Sequence, residues 1–220
     1  MSTERERAAV LSTWLGARIA GNAARPHDRC DLHRGETQVK RQVLFLQGGG
    51  QGAYEADRAL AASLQHALGE AFDVRYPRLP EEEDPQLHKW KERIASERGA
   101  LGNDALLVGH SLGGAVLLKH LAEDGVDRPI AGVFLLAAPA WDPDKWNYDD
   151  LMLPADLATR LSNVKRIFLY HNRNDEIVPF AHMARHAARL PQATVRSSDA
   201  GGHQFGNDLS MVATDIEQAV

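Results

Sequence analysis

The stretch LVGHSLGGAVLL, residues 107 to 118, sets a serine between Gly109 and Gly113 where an apolar run passes into a helical pattern. A serine lifted above a sheet edge by a sharp strand-to-helix turn is placed to attack a carbonyl carbon, the first step of covalent acyl transfer. A free hydroxyl is a weak nucleophile, so this reading of Ser111 requires a base and a group that orients the base. The other reading of the same residues is an ordinary strand-to-helix turn in which Ser111 caps the helix.

Both partners can be sought downstream. RIFLYHNRNDEIVPF ends a strand pattern and sets Asp175 in a loop before a proline-started helical segment. SSDAGGHQFGND sets His203 in a glycine-flanked loop between the last strand pattern and the last helical one. In such an arrangement His203 removes the Ser111 proton, and Asp175 fixes the imidazole tautomer and stabilises its charged form. Each has a plainer reading, Asp175 as a turn or capping residue and His203 as a surface loop residue. Asp142, just past the preceding strand, is the rival acid, and the strand-loop-helix setting favours Asp175 over it. His110 reads as a residue that shapes the serine turn.

FLQGGGQGAYEA, after the first strand, supplies a glycine loop whose N–H groups could face a developing oxyanion, with a second donor from the N–H of Leu112. Gly49 is the first candidate there and Gly50 the next. The same residues match GxGxxA at Gly48, Gly50 and Ala53, which would suit a dinucleotide. That reading needs an acidic residue at the end of the second strand to hold a ribose, and Asp73 lies at its start.

Positioning these groups requires strands ending beside one another. From residue 43 onward, apolar runs at 43–47, 73–77, 105–109, 132–138, 166–171 and 193–197 alternate with helical patterns near 53–68, 85–98, 112–123, 180–189 and 207–219. That alternation predicts an α/β fold, a single doubly wound domain with a mostly parallel sheet and helices on both faces. In EEEDPQLHKW, Asp84 is expected to cap the second helix, with Pro85 in its first turn and the glutamates near its positive end. The excursion AWDPDKWNYDDLML is too short for a large lid domain. Trp141, Trp146 and Tyr148 in it would either wall an acyl pocket or pack the loop onto the body.

Composition narrows the function classes. A net charge of −5 over 220 residues gives no general attraction to nucleic acid or anionic lipid. One cysteine, Cys30, permits no intramolecular disulfide and fits a reducing, cytoplasmic setting. There is no HExxH or CxxC pair. His182 and His186 stand four apart on a helical pattern without a clear third ligand, so no metal is expected, and no cofactor. No apolar run is long enough to span a bilayer. Residues 1–40 read as an N-terminal extension, a helical or flexible arm, with Val10, Leu11, Trp14, Leu15 and Ile19 at helical spacing. Residues 41–220 read as the folded domain.

QVLFLQGGGQGAYEAD, VRYPRLP, LVGHSLGGAVLLKHL, FLLAAP, HNRNDEIVPFAHM and GGHQF together resemble the α/β-hydrolase superfamily. More closely, they resemble the small, nearly lidless serine-hydrolase family that includes retinoblastoma-binding protein nine and its bacterial relatives. The similarity spans residues 41 to 220 and departs at the N-terminus. It implies a Ser111, Asp175, His203 triad in a nearly lidless domain and does not fix a substrate; the chemistry of the residues themselves points to hydrolysis of small esters or thioesters, with a small-molecule acyl substrate and no cofactor. The alternative is a protein-binding module on a hydrolase scaffold, whose partner the sequence does not name.

Overall fold

The structure is a computed structural model that describes residues 39–126, 128–140 and 151–220. All of these belong to the compact unit Gln38–Val220. The strands are β1 (Arg41–Leu46), β2 (Phe72–Arg75), β3 (Ala105–His110), β4 (Ile130–Leu136), β5 (Ile167–Asn172) and β6 (Thr194–Ser198). The helices are α1 (Ala53–Leu68), α2 (Leu87–Gly99), α3 (Ser111–Asp124), α4 (Leu157–Arg160), α5 (Ala181–Arg189) and α6 (Ser210–Gln218). The six strands form one sheet in the order β2-β1-β3-β4-β5-β6, and every neighbouring pair is parallel.

Alternate side chains of each central strand feed opposite cores, as the two-residue period of a strand requires. Leu44, Leu46, Leu107, Val133, Leu135 and Leu169 pack with residues of α2, α3 and α5. Val43, Phe45, Leu106, Val108, Phe134 and Phe168 face the other way, onto α1 and α6. Because both faces are covered, the inner strands carry continuous apolar runs, with polar residues only at their ends. Each fully buried Leu or Phe there contributes roughly 1.5–3 kcal/mol of apolar transfer.

Strand order reverses between β1 and β3. The chain leaves β1 toward the β2 edge and returns to β3, so the segments following these two strands diverge above the sheet. A crevice at the carboxyl ends of the strands results, which is where open α/β sheets hold ligands. The glycine loop follows β1 and Ser111 follows β3, so both candidates lie at this point.

The expected elements are present with shifted ends. The second helix starts at Leu87, two residues later than expected, with Gln86 at its N-cap and no side-chain cap bond, so Asp84 does not cap it. The last helix starts at Ser210, after a tight turn at Phe205–Asn207. The four-residue α4 has no counterpart in the sequence pattern. Trp141, Asp142, Trp146 and Tyr148, and nearly all of the N-terminal extension, lie outside the described residues. Among the described residues, no helix is long and apolar enough to cross a membrane.

Candidate active site

Ser111 is the first residue of α3 and holds φ at 50°, a left-handed value rarely adopted by a residue with a side chain. The N-cap position belongs to His110, and no side chain caps the helix, so Ser111 is not a capping residue. The strain is sustained by close packing of α3 on the strands beneath it. A Cβ at Gly113 would overlap the carbonyl oxygen of Gln47, so only glycine lets the helix start this low. Ser111 lines a cavity of about 580 Å³ together with Gly49, Leu112, Ile177, His203 and Gln204.

His203 sits in the loop between β6 and α6, and its Nδ1 lies 2.9 and 3.1 Å from the two carboxylate oxygens of Asp175. Both are acceptors, so Nδ1 is the nitrogen that donates to them. Asp175 comes from the turn after β5, and its side chain is buried. It accepts the backbone N–H groups of Ile177 and Val178 at 2.9 and 2.8 Å and faces His171 Nε2 at 3.1 Å. Burial alone would push this carboxyl upward, but hydrogen bonds from His171, His203 and Val178 outweigh it and hold the group far below the usual carboxylate range. The turn role expected of Asp175 and its contact with His203 are therefore fulfilled by one side chain.

The glycine loop resolves into distinct positions. The N–H of Gly48 donates to Asp57 at 2.7 Å, and that of Gly50 to the Glu82 carbonyl at 2.6 Å. Gly49 lies between them on the cavity wall, where an added Cβ would stand 2.6 Å from Leu112 Cδ2. The N–H of Gly50, the second candidate, is thus engaged within the protein. The N–H of Leu112, in the first turn of α3, has no partner within the helix.

Three further residues hold this geometry and were not singled out by spacing. Asp57, on α1, is 1 % exposed and accepts His110 Nδ1 at 2.8 Å. Glu82 is buried and accepts Gln47 Nε2, the Tyr54 N–H and Arg78, each at 2.8 Å. Glu176 accepts the backbone N–H of His203 at 3.1 Å. Composition gave one usable signal: Asp57 is the single acid among the apolar positions on the buried face of α1. His182 takes the Ala140 N–H on its Nδ1 at 2.9 Å, and His186 faces the backbone carbonyls of Pro139 and Ala138. These two histidines serve the chain after β4. No group of three potential metal ligands occurs among the described residues.

Residues 59–207 match the family described as serine hydrolase. The chain is similar to the ydeN gene product from B. subtilis, with a TM-score of 0.64 at 19% identity over 82% of this chain and 98% of that one. It is similar to SOBER1 from Arabidopsis thaliana, with a TM-score of 0.61 at 15% identity over 82% and 99% of the two chains. Est1E from Butyrivibrio proteoclasticus gives a TM-score of 0.58 at 15% identity over 84% and 88%. At these identities the likeness is one of fold. No curated protein sequence matches the chain.

Proposed function

Because the chain belongs to the serine hydrolase family, we propose that it hydrolyses small carboxylic esters or thioesters through an acyl-enzyme on Ser111. The observation that carries this reading is a strained serine at a helix start sharing one cavity with a histidine whose Nδ1 is held by a buried carboxylate. In this reading Ser111 Oγ attacks the carbonyl carbon and passes its proton to His203 Nε2, while Asp175 stabilises the imidazolium. The N–H groups of Gly49 and Leu112 receive the oxyanion. His203 then protonates the leaving alcohol or thiol, and water enters to release the acid by the same steps.

Charge narrows the substrate. The described residues lining the cavity include the exposed acids Glu83 and Asp84 and no lysine or arginine. A negative mouth favours neutral or cationic leaving groups and disfavours acyl thioesters of multiply phosphorylated carriers. Small neutral esters are thus the preferred class.

The test is labelling with a fluorophosphonate, located by mass spectrometry, alongside hydrolysis of p-nitrophenyl acetate. Ser111→Ala abolishes labelling, and Asp175→Asn and His203→Ala each reduce turnover on the order of a thousandfold or more. A folded protein that neither labels nor hydrolyses the ester would overturn the proposal and favour a binding role for the scaffold.

A further inference from the structure

Asp57 touches a sequence neighbour of Gly49, of Ser111 and of His203. Its Oδ2 accepts the Gly48 N–H at 2.7 Å, next to Gly49, and His110 Nδ1 at 2.8 Å, next to Ser111. Its Oδ1 accepts Gln204 Nε2 at 3.0 Å, next to His203. The other ring nitrogen of His110 lies 3.0 Å from the backbone carbonyl oxygen of His203, and the two imidazoles stand 4.7 Å apart. The three loops come from different strands, and one buried side chain bonds to all three.

We propose that Asp57, acting through His110, is a positioning residue that locks the glycine loop, the serine turn and the histidine loop into one register. The inference rests on the reading of Ser111 as a nucleophile. Its chemistry follows from the donor and acceptor inventory. Carboxylate and carbonyl oxygens only accept, so His110 meets an acceptor at each ring nitrogen, the Asp57 carboxylate at one and the His203 carbonyl at the other. Burial pushes the Asp57 carboxyl upward, but the His110, Gly48 and Gln204 hydrogen bonds prevail and hold it below its ordinary range.

Both carboxylate oxygens of Asp57 accept from donors, so an amide at position 57 turns an N–H2 group toward either Gln204 or the Gly48 and His110 pair, which then lacks its acceptor. One strut of the lock is lost while the apolar packing stays in place. Reacting atoms displaced by about 1 Å cost on the order of a hundredfold in rate, so the effect belongs in kcat.

The experiment measures fluorophosphonate labelling rate, and kcat and KM for p-nitrophenyl acetate, in wild type, Asp57→Asn, His110→Gln and the double variant. Circular dichroism and thermal unfolding verify folding at the assay temperature. The expected result is a loss of about ten- to a hundredfold in kcat and in labelling rate, with KM within about threefold. The double variant is expected to lose no more than the worse single one, because both substitutions break the same strut. Folded single variants at wild-type rates, losses that multiply, or losses confined to KM overturn the inference. If Asp57→Asn does not fold, His110→Gln decides it on the same kcat and labelling criteria. A wild type that neither labels nor turns over removes the serine reading and this inference with it; an active wild type beside undiminished variants removes this inference alone.

Discussion

His186 is held in a place where it cannot readily take a second proton. It is 3 % exposed, its Nε2 meets no hydrogen-bond partner among the described residues, and burial lowers its pKa to about 4 against the hydrogen bonds to the Pro139 and Ala138 carbonyls. The unfolded chain binds a proton there near the ordinary 6.5. Between those values the unfolded state binds more protons, so stability is full above about pH 6.5 and falls as the pH drops toward 4. The difference amounts to about 3 kcal/mol. Urea unfolding from pH 7 to 4.5 should show it, and the drop should shrink in His186→Gln; an equal drop in both proteins would assign it to other groups. The sequence offered His182 and His186 as a pair at helical spacing, and what lies opposite them depends on where β4 ends, which spacing does not contain. Ser111, Asp175 and His203 were legible because each sits at a strand end marked by glycine, proline or a break in the apolar pattern.

The loop between β2 and α2 shows why element ends were harder to read than the elements. Asp84 and Pro85 have the types expected at a helix start, yet α2 begins at Leu87. Glu82 explains the displacement: its carboxylate reaches under the glycine loop to Gln47 and the Tyr54 N–H, and its carbonyl takes the Gly50 N–H. Residues 78–85 are thus fastened to the neighbouring loop instead of winding into the helix. A run of four acids looks like a solvated face, and nothing in its composition marks the second glutamate as the buried one. Glu82→Ala leaves the Gln47 amide and the Tyr54 N–H without their acceptor. Stability should fall by about 2–4 kcal/mol in denaturant titration, and Ser111 labelling should slow because the Gly49 N–H is no longer fixed. Unchanged stability would mean that Leu79, Trp90 and their neighbours hold the loop unaided.

At the scale of the molecule, the described residues of both cores take their strand side chains from Val43 onward. A chain starting at Gln38 should therefore unfold within about 2 °C of the full one and label Ser111 at the same rate; a loss above about 5 °C would show that the preceding residues contribute to the fold. The layered α/β architecture was legible because apolar runs and helical patterns alternate in order, whereas sheet order and the reversal between β1 and β3 depend on pairings made across the whole chain. Those pairings also impose a sequence in time. The bond from Gln204 to Asp57 joins residues 147 apart, and that from His110 to His203 joins residues 93 apart. Contacts of such separation repay their loop-closure entropy late, after β1, β3 and their helices have docked. On the proposed reading of Ser111 and His203, a half-folded copy already has its serine turn but not its base, so its hydroxyl is chemically quiet while apolar surface is still exposed, and reactivity arrives with the last segment to dock.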